Sequence, residues 1–138
     1  MKKVIIALII LISTGVLVAT GFVLEKQDAE KLELQIQEGT VKTRDFTQAA
    51  NRSLPRGGVE FSPRSGEFQI LYREETDSFL ISIISSPFEE VRQQAEGEFV
   101  KTLEISQEKA CQLDVSITTP HFANPEHSGE IFGLSFCE

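Results

Sequence analysis

The chain begins with two lysines followed by an uninterrupted apolar run over residues 4–24. This run matches the ~20 helical residues that span the apolar core of a bilayer. Lys2 and Lys3 precede it and acidic residues follow it, so the positive-inside rule places the N-terminus in the cytoplasm. A cleaved signal peptide is the competing interpretation, because it also has a basic start. Both interpretations place the remaining chain outside the cytoplasm, and we expect residues 1–24 to be an uncleaved, single-pass membrane anchor.

Charge is distributed unevenly after the apolar run. Residues 25–58 contain six acidic and six basic residues, whereas residues 59–138 contain fifteen acidic and five basic residues. Binding to a phosphate backbone requires clustered lysine and arginine, so this balance argues against a nucleic-acid partner. We expect the acidic surface mainly to keep the domain in solution.

Residues 25–58 give conflicting structural signals. Good helix formers occupy residues 25–32, whereas Leu32, Leu34 and Ile36 alternate with polar residues as in a strand. Residues 40–58 are polar, and glycine and proline cluster near their end. We therefore predict a flexible linker over residues 25–58, followed by an extracytoplasmic domain over residues 59–138.

The pattern of residues 59–138 predicts a two-layer α+β sandwich with the element order β-β-α-α-β-β and a mainly antiparallel sheet. Alternating apolar residues indicate the strands, and a polar turn between the first two favours a hairpin. The strands are predicted at residues 67–73, 78–85, 114–119 and 131–137, and the helices at residues 87–103 and 107–113.

The main helix has the clearest local signals. Ser86 is expected to be its N-cap, Pro87 its first residue, and Glu89 the partner in a capping box. Gly97 lies in its middle and is expected to permit close packing. A stripe of apolar residues at helical spacing should face the sheet. Its members are Phe88, Val91, Ala95, Phe99 and Leu103.

Cys111 and Cys137 are the only cysteines in the chain. An even number of cysteines outside the cytoplasm favours a disulfide, and two buried free thiols are the alternative. A bridge would close a loop of about 27 residues and contribute ~3–4 kcal/mol in the chain-entropy model.

Candidate chemistry is sparse. His121 and His127 share one loop with Glu126 and Glu130, and imidazole with carboxylate can bind zinc. The spacing follows no established ligand pattern, so surface histidines are the expected interpretation. Cys111 lacks the surroundings of a catalytic cysteine, and the chain contains no P-loop, dinucleotide or EF-hand motif. We therefore predict no enzyme activity, cofactor or metal, with an envelope enzyme or metal-binding protein that uses the His121–His127 loop as the alternative.

A sequence likeness to other proteins extends over residues 86–92, 99–103, 105–106, 110–113, 115–120 and 133–137. In these segments the domain resembles small single-span membrane proteins of candidate-phylum bacteria. The resemblance covers about residues 60–138 and implies an anchored extracytoplasmic domain with no established activity.

The predicted anchor, linker and small domain together suggest an interaction or assembly component of the cell envelope. Tethering through residues 4–24 raises the concentration of the domain near other envelope proteins, which are the expected partners. The expected contact surface is either an exposed sheet edge or the loop that carries His121 and Phe122.

Overall fold

A computed structural model describes residues 31–61 and 66–137. In this part of the chain, the strands are β1 (Lys31–Ile36), β2 (Gly39–Arg44), β3 (Arg52–Ser53), β4 (Val59–Phe61), β5 (Phe68–Arg73), β6 (Ser78–Ile83) and β7 (Asp114–Thr118). The helices are α1 (Phe88–Leu103) and α2 (Gln107–Ala110), with a first 3-10 helix at Phe46–Ala49 and a second at Ser135–Cys137. The described residues contain no helix with the length and apolar character needed to cross a membrane. The predicted anchor, residues 1–24, lies outside them.

The described strands form a two-stranded and a five-stranded sheet. β1 and β2 form the smaller sheet, and the larger has the order β3-β4-β5-β6-β7. All neighbours are antiparallel except β6 and β7, which are parallel because α1 and α2 connect them. The predicted α+β class, mostly antiparallel pairing and β5–β6 hairpin are confirmed.

One face of the larger sheet carries the core. The register pairs Ile70 with Ile81 and Tyr72 with Phe79, so the apolar side chains of β5 and β6 share this face. The predicted apolar stripe of α1 is buried throughout. The Phe99 ring lies 5.0 Å from the Phe79 ring, between centroids, in an edge-on arrangement. The expected packing of the main helix on the sheet is therefore confirmed.

The flexible linker predicted for residues 25–58 is wrong over its described part, residues 31–58. These residues form β1, β2, the first 3-10 helix and β3. Leu34, Val41 and Phe46 are all at most 3% exposed and belong to the core. The alternation of apolar and polar residues at positions 32–36 correctly indicated a strand, because one face of the β1–β2 hairpin packs against the rest of the domain.

The strand predicted at residues 131–137 is also wrong. Phe132 alone forms a β-bridge, to Ile117 of β7, and the second 3-10 helix follows. The backbone of Gly133 and Ser135 instead bonds to the side chains of α1. Those hydrogen bonds take the place of the pairing that a strand would make with β7. Residues 132–137 are here termed the C-terminal segment; they contact β7 at Phe132 and add no strand to the sheet.

Two local expectations for α1 are corrected as well. Pro87 is the N-cap and no side chain caps it, because the Ser86 hydroxyl donates to the backbone oxygen of Ala123. A Cβ added at Gly97 would meet no atom within 4 Å, so close packing does not explain this glycine. The predicted cap of α2 is confirmed, since Ser106 accepts a hydrogen bond from the Lys109 amide.

Candidate functional site

Residues 119–134, here termed the 119–134 loop, carry the two large apolar side chains that the described chain exposes. Phe122 is 81% exposed and Ile131 is 76% exposed. Ten phenylalanines occur in the chain, and the neighbouring ones in this loop and on α1 are at least partly buried. Phe122 therefore differs in exposure from the phenylalanines around it.

Buried hydrogen bonds fix the first half of this loop. The Thr119 hydroxyl donates to the Ile83 oxygen at 2.7 Å. The Asn124 amide donates to the Ser85 oxygen at 3.0 Å and to the Thr119 hydroxyl at 2.9 Å. Both side chains are buried. Because residues on both sides of Phe122 are held in place, its ring is presented to solvent from an anchored backbone.

An aromatic cluster fixes the second half of the loop. The His127 ring stacks on Phe88 of α1 with 4.4 Å between centroids and meets the edge of Phe132 at 5.9 Å. His127 therefore packs against the helix, whereas His121 is exposed. The described residues contain no group of three or more histidine, cysteine or acidic side chains placed to hold a metal ion.

A buried ion pair on α1 holds the C-terminal segment. Arg92 and Glu96 are 6% and 3% exposed, and the Arg92 Nε lies 3.1 Å from Glu96 Oε1. The Arg92 guanidinium donates to the Gly133 oxygen at 2.8 Å and lies 5.3 Å from the centroid of the Phe132 ring. The Glu96 carboxylate accepts the Ser135 amide at 2.7 Å and also the Ser135 hydroxyl. Charged groups taken out of water need such directional partners.

Sequence reasoning missed the Arg92–Glu96 pair. The signal was available: the two residues are four apart and share a helical face with Phe88, so they border the apolar stripe. Charged side chains on a helix usually point to solvent. The apolar stripe of α1 does not by itself indicate that a distant segment of the chain covers the charged residues beside it.

The predicted disulfide is present between Cys111 and Cys137. The Cα atoms are 5.5 Å apart and the sulfurs are bonded at 2.01 Å. It connects the C-terminal segment to the end of α2, just before β7. The C-terminal segment therefore contacts β7 through Phe132 at one end and is covalently held at the other.

A groove, here termed the disulfide groove, lies beside this disulfide. It has a volume of about 990 Å³. Residues 35–38, 75–77 and 111–114 line it, and they include four carboxylates: Glu38, Glu75, Asp77 and Asp114.

Asp77 joins two sides of this groove. It accepts a hydrogen bond from the Gln35 amide of β1 at 3.3 Å and another from the Tyr72 hydroxyl. Burial, followed by the hydrogen bond to Asp77, raises the pKa of Tyr72 well above its usual value. Tyr72 thus stays a neutral donor to Asp77, and Asp77 links the β5–β6 turn to β1 of the hairpin.

Of the two expected contact surfaces, the β7 edge is partly covered. Ile117 and Phe132 exchange both backbone hydrogen bonds, at 2.8 and 2.9 Å. That pairing occupies the outward polar groups of Ile117, which an added strand would need. The loop bearing His121 and Phe122 is therefore more accessible than the β7 edge at Ile117.

Comparisons with protein-family models, curated proteins and solved structures give no significant match to this chain. The resemblance to small single-span bacterial proteins stays a prediction. The class defined by the fold is an α+β domain with mostly antiparallel sheets and two helices within the described residues.

Proposed function

We propose that this protein is a non-catalytic interaction component of the cell envelope and that it contacts its partner through the 119–134 loop. The apolar run at residues 4–24 would anchor it, with the α+β domain outside the cytoplasm. The partner is another envelope protein that offers an apolar pocket to Phe122. The disulfide between Cys111 and Cys137 supports an oxidising compartment.

The observation that carries this proposal is the combination of an exposed aromatic ring with an anchored backbone. A single exposed apolar residue is ordinary on a protein surface. Phe122 differs because Thr119 and Asn124, on either side of it, are buried. Thr119 is hydrogen-bonded to the end of β6, and Asn124 to the β6–α1 connection. A loop already ordered loses little conformational entropy on binding, and aromatic side chains often dominate the energy of interfaces.

Site-specific photo-crosslinking of the full-length chain in its own membranes tests the proposal. A photoreactive residue at position 131 should yield a discrete crosslinked protein, and a matched one at Gln93, exposed on α1, should not. Phe122→Ser combined with the probe at position 131 should abolish the adduct, while the chain keeps its thermal stability because Phe122 is 81% exposed.

Two results would count against the proposed contact surface. One is the same adduct pattern from positions 93 and 131, which would indicate non-specific encounters. The other is an adduct at position 131 that survives Phe122→Ser, which would remove Phe122 as the anchor. The adduct should also form on the outer side of the cytoplasmic membrane. A protease added to intact spheroplasts should therefore degrade it.

A further inference from the structure

We propose that the Cys111–Cys137 bond is a site of thiol–disulfide exchange in the folded domain, selective for small thiols that carry a positive charge. Both cysteines are exposed, and Cys111 lines the disulfide groove. Accessibility of a disulfide sulfur to an incoming thiolate is the first requirement for exchange. The groove, at about 990 Å³, has the size of sites that admit small molecules.

The fold does not depend on this bond to hold the C-terminal segment. Leu134 is 3% exposed, so the middle of the segment is part of the core. Arg92 and Glu96 bind the backbone of Gly133 and Ser135 through charge-assisted hydrogen bonds. Reduction therefore leaves these contacts in place, and its effects are confined to α2 and the last residues of the segment.

Charge in the disulfide groove sets the selectivity. Glu38, Glu75, Asp77 and Asp114 line it, and the described lining residues include no lysine, arginine or histidine. Lys109 and Lys42 line a neighbouring pocket, which shares Gln112 with the groove. A groove with one sign of charge concentrates the opposite sign, so an ammonium group beside the incoming sulfur is attracted and a carboxylate is repelled.

The exchange step balances with two thiols as the reductant. The thiolate of the first attacks Cys111 Sγ, the bond between the two cysteines breaks, and Cys137 leaves as a thiolate that takes a proton from water. The product is a mixed disulfide at Cys111. A second thiolate then attacks the small-molecule sulfur of that mixed disulfide, which releases the oxidised small disulfide and leaves Cys111 reduced. Two electrons pass from the two thiols to the protein.

The test compares the rate constants for reduction of the oxidised, full-length chain by cysteamine, which is cationic, and by glutathione, which carries net negative charge. Both are measured by alkylation and mass spectrometry on the natural chain and on Glu38→Gln/Glu75→Gln. Glu90→Gln/Glu98→Gln on α1 removes the same charge away from the groove. The cysteamine-to-glutathione ratio in each protein is then divided by that of the natural chain, so the intrinsic reactivities of the two thiols cancel.

We expect the groove variant to lower the ratio about threefold at low ionic strength, an effect that should largely vanish at 1 M salt. The α1 control should leave the ratio unchanged. An equal ratio in the natural chain and the groove variant would overturn the proposed selectivity, because the sulfur would then react without regard to the groove carboxylates.

The second measurement concerns the fold. Amide NMR spectra of the reduced full-length chain should keep their dispersion, with changes confined to residues 107–113 and 135–137. Loss of the dispersed spectrum on reduction would overturn the proposal, since the bond would then serve only to hold the domain together. Restoration of the oxidised spectrum by cystamine, without unfolding, supports it.

Discussion

The β1–β2 hairpin with its 3-10 helix and the C-terminal segment are attached to the same domain by different forces. The hairpin region is held by apolar contact: the Phe46 ring lies 5.5 Å from Phe61, 5.0 Å from Tyr72 and 5.6 Å from Phe79, between centroids. The C-terminal segment is held by the buried charges of Arg92 and Glu96 and by a disulfide. Apolar attraction is non-directional, whereas charged hydrogen bonds fix individual backbone atoms.

This difference explains the conformations of the two regions. The hairpin keeps a regular ladder with all six residue pairs in register, since apolar burial requires only that alternate side chains face inward. The C-terminal segment has no ladder beyond Phe132, because the side chains of α1 take the backbone groups that a strand would offer to β7. Four substitutions test this account of the domain.

The largest effect is expected for Phe46→Ala. The side chain is 0% exposed and contacts three aromatic rings, so its removal should lower the free energy of unfolding by about 4 kcal/mol. Urea denaturation measures the change. The control is Phe122→Ala, which should change stability by less than about 0.5 kcal/mol because that ring is exposed. Similar losses in both variants would mean that Phe46 is not a core residue.

Glu96→Ala should lower the free energy of unfolding by about 3 kcal/mol, because it removes the buried carboxylate 3.1 Å from the Arg92 guanidinium and leaves the more distant, exposed Glu89 carboxylate at 3.8 Å. The double variant Arg92→Met/Glu96→Leu removes both charges and keeps the volume, so it should recover most of that loss. Urea denaturation of the two variants forms the comparison. A double variant as unstable as Glu96→Ala would show that the hydrogen bonds to Gly133 and Ser135, and not the loss of the buried carboxylate beside Arg92, determine the loss of stability.

Gly97→Ala should raise the free energy of unfolding by about 1 kcal/mol, which is the difference in helix propensity between the two residues. Gly97 lies inside α1, and an added methyl group meets no atom within 4 Å. Thermal unfolding by circular dichroism detects the gain as a higher Tm. A destabilised variant would indicate that something covers this exposed position of the helix.

The smallest effect is expected for Asp45→Asn at the start of the first 3-10 helix. Hydrogen bonds from Thr47 lower the pKa of Asp45 below its ordinary value. A lowered pKa contributes stability at pH values above the ordinary one, and this contribution is lost as the pH falls through the lowered value. The variant should therefore lose less than about 1 kcal/mol at pH 7, and the difference should shrink below about pH 4. A difference independent of pH in urea titrations at pH 3 and 7 would rule out the charge as its cause.

Much of the domain followed from local patterns. The β5–β6 hairpin, the buried stripe of α1, strand β7 and the pairing of Cys111 with Cys137 were all predicted. Each prediction depends either on the spacing of apolar residues or on the even number of cysteines, and both can be seen in the sequence without knowledge of distant contacts. Phe122 was named as part of a contact loop, but its exposure depends on Asn124, whose buried hydrogen bonds no local pattern predicts.

The errors arose where distant residues decide the conformation. Residues 31–58 were predicted to be a linker because most of them are polar. Their few apolar side chains lie on one face, and burying that face stabilises the domain only because α1 and the larger sheet provide a surface for it to cover. Residues 131–137 alternate like a strand, but Arg92 and Glu96, about forty positions earlier, take their backbone groups. A helix-capping role was likewise assigned to Ser86, whose hydroxyl instead bonds to Ala123.

Sequence patterns are sufficient to predict the α+β class, the main helix with its buried face, and the pairing of the two cysteines. These follow from the spacing of apolar residues and from the cysteine count, since local periodicity decides which face of an element avoids water. Three features depend on contacts between distant parts of the chain: the β1–β2 hairpin completes the core, the buried Arg92–Glu96 pair binds the segment predicted as the last strand, and an acidic groove lies beside an exposed disulfide. Buried polar groups must find partners wherever the fold supplies them, and those partners can lie anywhere in the chain.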